Sequence, residues 1–278
     1  PLPAGGVYVL ELSSYQIDLT HSLGCDAAAL INLSPDHLDR YDGYAGYIAS
    51  KARLFAMQTA KQVSVFGDGD DDTYRVYQDV LSRRGADFVV RADPSHLKGQ
   101  IEWPSLQGPH NLQNVAVAVA LVEALGITEN QWRPALKSFK SLAHRMEIVA
   151  ERNGVLFVND SKATNPASTA PALAAYPRVH WIVGGLPKGE DLNECAPNFG
   201  HVVKAYTIGE AGPLFSKLLS PFLPVESCEM MGSAVHSAAS QAQPGDVVLL
   251  SPACASFDQF KDFEARGDAF KAIVEALP

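Results

Sequence analysis

The feature that most constrains this chain is an alternation. In its second half, short apolar runs recur at 146–150, 154–158, 179–183, 202–208 and 246–250. Stretches with helical spacing separate or follow them, at about 166–175, 213–219, 232–242 and 258–276. Such short runs, rich in β-formers, read as strands, and strands that alternate with helices build doubly wound α/β layers. The first half carries a looser version of the pattern. Val7-Tyr8-Val9-Leu10 reads as a buried strand that delivers Glu11 at its C-terminal end, with further strands at 27–33 and 62–66. Helices are expected at 44–57, from 73 to about 84, at 112–125 with Gly126 closing it, and at about 129–139. Residues 86–107 read as short strands and turns. A domain boundary is expected near Ser141, giving domains 1–141 and 142–278.

Ligands of open α/β sheets bind beyond the carboxyl ends of the strands. The segment Asn159-Asp160-Ser161-Lys162-Ala163-Thr164-Asn165 occupies such a place, directly after the 154–158 run. A helix cap needs only one Asn or Asp. Here nearly every position is polar, so a binding loop is expected. Asp160 can accept hydrogen bonds from ribose hydroxyls, and Lys162 can approach phosphates. Trp181 to Lys188 reads as strand, Gly turn, cation. The glycines permit close backbone approach, and Lys188 is either a partner for a substrate carboxylate or a solvated loop lysine. Ser256 lies past the 246–250 run, and Phe263 lies on the helix beyond, where plain core packing is the alternative. Asn111 can cap the helix that follows it, and Asn114, about one turn on, can meet an adenine edge. Arg145 offers a planar fork for phosphate.

Glu11, His37 and Lys51 come from three separate segments. Glu11 with His37 suggests a Mg²⁺ site, because carboxylate oxygens suit that ion, although histidine is an unusual ligand for it. A strand-end carboxylate, a structural histidine and a solvated lysine are the alternatives.

Composition narrows the function classes. The net charge is −9 and no Lys/Arg block stands out, which disfavours nucleic acid as a partner. The four cysteines are far apart and form no CxxC pair. That argues against zinc and a disulfide framework and fits a reducing, cytoplasmic compartment. Cys254 reads as a small buried residue. No run reaches transmembrane length and no signal peptide opens the chain. A nicotinamide dehydrogenase is disfavoured by the lack of G-x-G-x-x-G.

The loop Asn159 to Asn165 resembles a motif of the Mur ligase family, in its D-glutamate-adding branch. So do Leu249 to Phe260, Glu11 to Gln16, Asp36 to Tyr41, His110 to Asn114, and His144-Arg145. The motifs stand in the family's order from one end of the chain to the other. The resemblance implies part of a central ATPase domain followed by a Rossmann-like doubly wound C-terminal domain. It implies ATP-dependent ligation of D-glutamate to UDP-N-acetylmuramoyl-L-alanine through an acyl phosphate, in cytoplasmic peptidoglycan precursor synthesis. By the same resemblance Glu11 and His37 hold Mg²⁺, and Lys51, carbamylated, helps to order it. His37, Lys51 and Lys162 are the implied catalytic residues. Asn111, Asn114, Arg145 and Asp160 contact ATP, and Ser13, Thr164, Lys188, Ser256 and Phe263 bind substrates. A monomer without nucleic-acid or membrane partners is expected.

One family component is missing. No P-loop, G-x-x-G-K-[ST], occurs. The nearest cluster, Gly184 to Gly189, has the wrong spacing, and Pro187 removes an amide donor. In the family this loop precedes the segment matching Glu11, so the chain is expected to be the later part of a longer ligase, inactive alone. Another Mur or folylpolyglutamate-type ligase, or a non-catalytic module that binds nucleotide or amino acid, are the alternatives.

Overall fold

The computed structural model describes residues 3, 5–35, 38 and 40–278. The chain groups into two compact units. One is Pro1–Lys98 with Leu112–Pro134, and the other is Gly99–Asn111 with Ala135–Pro278. The segment 99–111 belongs with the second unit for visible reasons. Gly108 is packed so tightly that an added β-carbon would lie 2.9 Å from that of Ala175. Ser141 Oγ donates to the Ser105 carbonyl at 3.2 Å, so Ser141 lies within the second unit.

The first unit opens with the short helix α1 (Ser14–Asp18). Its sheet has strands β1 (Ala27–Leu30), β2 (Val63–Phe66) and β3 (Val89–Arg91), all parallel and in that order. Successive residues of a strand face opposite ways. Ala28, Leu30 and Phe66 therefore pack against α2 (Gly43–Ala56) and α3 (Asp71–Arg84), through Tyr47, Phe55, Val76 and Val80. Val65 and Ala92 pack instead against Ala116 and Val117 of α4 (Pro109–Ala124). Covered faces on both sides are what a parallel sheet requires. The helix α5 (Glu129–Ser138) follows.

One expectation in this half fails. Val7-Tyr8-Val9-Leu10 is not a strand and is not buried; Val9 is 92% exposed. An apolar run becomes a strand only where a neighbour offers a hydrogen-bonding ladder, and β1 pairs only with β2 among the described residues. Glu11 therefore precedes a helix instead of ending a strand. The stretch 86–107 holds β3 alone, the rest being 3-10 turns such as Pro94–His96 and Gln100–Glu102.

The second unit is built on six strands: β4 (Glu147–Arg152), β5 (Val155–Asn159), β6 (Val179–Gly184), β7 (Val202–Ile208), β8 (Val225–Glu229) and β9 (Val247–Leu250). Their order is β4-β5-β9-β6-β7-β8, parallel throughout except for β4, which runs antiparallel along β5. On one face, Val158, Trp181, Val183 and Leu249 meet α6 (Pro166–Ala174) and α7 (Gly212–Leu219) through Leu173, Phe215 and Leu219. On the other, Phe157, Ile182, Tyr206 and Leu250 meet α8 (Met231–Gln241) and α9 (Phe263–Glu275) through Val235, Phe270 and Val274. β5, β9 and β6 are the central strands, and their carboxyl ends open on one edge. No helix among the described residues is long and apolar enough to cross a membrane.

Candidate functional site

Three loops leave the carboxyl ends of β5, β9 and β6, and backbone hydrogen bonds join them. The Ala253 amide donates to Ala163 O at 3.0 Å, linking the β9 and β5 loops. Leu186 and Ala255 exchange bonds of 2.9 and 3.0 Å, linking the β6 and β9 loops. The Gly-Gly turn makes this closeness possible. A β-carbon on Gly184 would lie 2.0 Å from Ile208 O, and one on Gly185 2.4 Å from Ala255 O. Both glycines have positive φ, 128° and 135°.

Asp160 is buried at the end of β5, with one oxygen accepting from the Met146 amide (3.1 Å) and the other from Ser251 Oγ (2.8 Å). Burial pushes its pKa up to about 7, although those two hydrogen bonds and the charge of Arg145 pull it down. Its charge therefore changes near neutral pH. Arg145 itself is exposed, in a bend whose flanking residues, His144 and Met146, have left-handed φ values of 63° and 47°. The Lys162 amide donates to His144 O at 3.0 Å, so the bend and the loop hold each other.

Lys162 Nζ lies 3.9 Å from the centre of the Phe263 ring, a close cation–π contact. Lys188 Nζ donates to Thr164 Oγ1 at 3.1 Å, so a residue of the β6 loop meets one of the β5 loop. Ser256 is buried in the β9 loop. Phe263 begins α9, and its carbonyl accepts from Ser161 Oγ at 2.8 Å. Asn165 is the cap of α6, accepting from the Ser168 amide at 2.8 Å. Six of the expected positions thus share one loop edge: Asp160, Lys162, Thr164, Lys188, Ser256 and Phe263. The bend that carries Arg145 borders it.

The other positions lie elsewhere. Asn111 sits inside the first turn of α4 and does not cap it; its Nδ2 donates to Gln107 O at 3.0 Å. Asn114 is exposed one turn further on. Ser13 is the N-cap of α1, its Oγ accepting from the Gln16 amide at 3.3 Å while the Gln16 side chain accepts from the Ser13 amide. The exposed Glu11 stands just before it. Lys51 Nζ lies 5.3 Å from the Tyr47 ring centre. Its neighbour Ser50 donates to Asp18 at 2.6 Å, tying α2 to α1. His37 lies outside the described residues. Among the described residues no group of three or more His, Cys, Asp or Glu side chains converges to hold a metal ion. Glu11 supplies a hard oxygen donor of the kind Mg²⁺ takes.

Sequence reasoning missed two groups that build this edge. Ser251, fully buried, holds Asp160. Arg266, 1% exposed on α9, sits under the loops. A signal for Arg266 existed: it shares the four-residue spacing of Phe270 and Val274, which marks the buried stripe of the helix.

An α/β protein with cationic and acidic side chains on adjoining loops at a parallel-sheet edge has the general form of a ligand-binding architecture. Two family models match it: the Mur ligase middle domain over residues 4–100, and the Mur ligase glutamate ligase domain over residues 144–254. UDP-N-acetylmuramoylalanine–D-glutamate ligase of Novosphingobium aromaticivorans is 70% identical over 277 residues, which cover 100% of this chain and 62% of that protein. The enzyme of the same name from Sphingopyxis alaskensis is 54% identical over 282 residues, covering 100% and 64%. The chain thus spans less than two thirds of the length of these relatives. Among solved structures, UDP-N-acetylmuramate-alanine ligase MurC of Thermotoga maritima superposes with a TM-score of 0.63 at 13% identity, over 95% of this chain and 62% of that one. Folylpolyglutamate synthase of Mycobacterium tuberculosis, complexed with ADP and AMPPCP, gives 0.61 at 18% identity, over 88% and 64%. At such identities these likenesses speak for the fold. The chain belongs to the Mur ligase family.

Proposed function

We propose that this chain is the part of a D-glutamate-adding ligase that receives the amino acid and part of the nucleotide. In the reaction, the L-alanyl carboxylate of UDP-N-acetylmuramoyl-L-alanine attacks the γ-phosphorus of ATP and ADP leaves. The amine of D-glutamate then attacks the carbonyl of the acyl phosphate, and inorganic phosphate leaves. The observation that carries this reading is the hydrogen bond from Lys188 to Thr164, which ties the β6 loop to the β5 loop that also carries Lys162. A cation beside a hydroxyl suits a carboxylate substrate, a second cation on the same loop suits a transferring phosphoryl group, and catalysis of this kind rests on positioning and charge stabilisation.

In this reading Lys188, Thr164, Ser256 and Phe263 hold D-glutamate. Asp160, Arg145, Asn111 and Asn114 hold ATP, and Lys162 stabilises the phosphoryl charge. Ser13 borders the UDP-linked substrate. The family pattern would give Mg²⁺ to Glu11 and His37, with Lys51 carbamylated beside them; the ion, when bound, neutralises phosphate charge. The two family matches end at residue 100 and begin at residue 144, and the expected boundary of domains 1–141 and 142–278 falls in the stretch between them. The enzyme would act as a cytoplasmic monomer in peptidoglycan precursor synthesis.

The test is ligation by the product of the whole gene, with UDP-N-acetylmuramoyl-L-alanine, ATP and competing amino acids. D-Glutamate should be incorporated selectively, and Lys162→Ala should lower phosphate release at least 100-fold, as loss of one preorganised charge contact does. Selective incorporation of another amino acid would move the chain to a different ligase of the family. ATP binding without turnover would make it a binding module, and near-normal release by Lys162→Ala would remove Lys162 from the chemistry.

A further inference from the structure

Arg266 is the anomaly of the second unit. Arginine is almost never buried this completely unless a carboxylate pairs with it. Here Nε donates to Ser161 Oγ at 3.0 Å, Nη2 to Ser161 O at 2.9 Å and to Cys254 O at 3.0 Å, and Nη1 to Ala255 O at 3.1 Å. None of these acceptors is a carboxylate. Burial pushes its pKa down to about 10, so the guanidinium stays charged at neutral pH.

The acceptors come from two loops. Ser161 lies between Asp160 and Lys162 in the β5 loop, and Cys254 and Ala255 precede Ser256 in the β9 loop. The β6 loop is close as well: a β-carbon on Gly185 would sit 3.0 Å from Arg266 Nη1. One planar fork thus bonds the peptide groups beside Lys162 and beside Ser256, and it packs against the turn that leads to Lys188. A packing residue would need no such set of donors, and an apolar side chain of similar volume would avoid the cost of burying a charge.

We propose that Arg266 is a positioning residue of the ligation site, a staple that fixes the β5 loop against the β9 loop so that Lys162 and Ser256 keep one spacing. This rests on the ligase reading above. It predicts a coupled effect, because the staple spans the nucleotide-side and amino-acid-side loops. Lysine keeps the charge but presents its donors from a single point and cannot bridge both loops.

The experiment is Arg266→Lys in the product of the whole gene, compared with the parent by thermal melting, D-glutamate KM and Kd for ADP. The expected result is a folded variant whose KM for D-glutamate and Kd for ADP both rise at least tenfold. Parent-like constants in a folded Arg266→Lys, or a change in one constant alone, overturn the proposal. If Arg266→Lys does not fold, Ser161→Ala removes one acceptor of the fork, together with the bond from Ser161 Oγ to Phe263 O, and should raise both constants by roughly two- to tenfold, on the scale of one or two hydrogen bonds; no rise in either overturns the staple. If the parent does not join D-glutamate at all, the ligase reading falls separately. Amide hydrogen exchange at 160–164 and 253–256 then decides the staple: faster exchange in Arg266→Lys supports it, and parent-like exchange overturns it.

Discussion

Gly267 lies directly against His144. A β-carbon added at Gly267 would fall 2.2 Å from His144 Nδ1 and 3.0 Å from the Asn159 amide group. His144 is itself buried, with Nδ1 3.0 Å from Asn159 Nδ2 and an edge-to-face contact to Phe263, so it has no room to retreat. Gly to Ala inside a helix ordinarily stabilises by about 1 kcal/mol. Here Gly267→Ala should instead destabilise by about 1–3 kcal/mol, the usual range for overpacking. Urea unfolding of the two proteins gives the sign, and a more stable variant would refute the contact.

The Asp160 carboxyl gives the fold a pH dependence of defined sign. Its folded pKa, about 7, lies above its unfolded value of 3.8. Its stabilising contribution is therefore fully present below the unfolded value and is lost as pH rises through 7, because the unfolded chain gives up the proton first. Asp160→Asn should flatten this dependence. Between pH 5 and pH 8 the parent should lose a few kcal/mol relative to the variant. Parallel stability curves for the two proteins would contradict it.

At the opposite edge of the same sheet, Asp246 behaves the other way. It is 2% exposed and accepts from Arg178 Nε at 2.6 Å, from the Gln243 amide at 3.0 Å and from His180 Nε2 at 3.2 Å. Burial alone would raise its pKa, but these donors outweigh it and hold the carboxyl below its usual range. Burial keeps His180 neutral, with the Tyr206 hydroxyl 2.9 Å from its Nδ1. Asp246→Ala strands these donors and should cost about 2–3 kcal/mol at neutral pH. The contribution is present above the unfolded pKa and lost as pH falls through the folded one. The gap between the two proteins should therefore narrow below about pH 4, the unfolded value of Asp. A gap independent of pH would show that packing, not charge, is at stake.

Arg152 caps α9 from the edge strand β4. It donates to Leu277 O at 2.6 Å and to Glu275 O at 2.9 Å, satisfying carbonyls that a helix end leaves unpaired. Arg152→Ala should destabilise by about 1 kcal/mol and speed amide exchange in the last turn of α9 ahead of the rest of the unit. Uniform exchange would deny the cap.

Much of the second unit was legible because its strands β5, β6, β7 and β9 are buried on both faces and read as apolar runs. β8 was not, because Val225-Glu226-Ser227-Cys228-Glu229 is an edge strand with one partner and little need for apolar residues. Val7 to Leu10 failed for the opposite reason: apolar character was present and a partner was not. The loop Asn159 to Asn165 was legible as a binding segment by its density of polar groups. What could not be read was how its polar atoms divide their work. Asn159 faces inward, donating to Glu147 and accepting from the Ser161 amide, while Asn165 serves α6. Lys162 and Lys188 each read as lying past the end of a strand, but which loops are neighbours could not be read, since that follows from the β5-β9-β6 order.

The staple between Ser161 and Arg266 joins positions 105 residues apart. Synthesis runs from the amino end, and domains begin to organise while the chain is still emerging. The β5 loop therefore leaves the ribosome long before the helix that holds it. Until α9 docks, the β5 and β9 loops lack the four hydrogen bonds of the guanidinium beneath them, and a nascent chain can own every ligand-facing side chain without the full set of contacts that spaces them. Assembly of the binding edge thus waits for α9 to emerge and dock, and binding competence should arrive in one step with it.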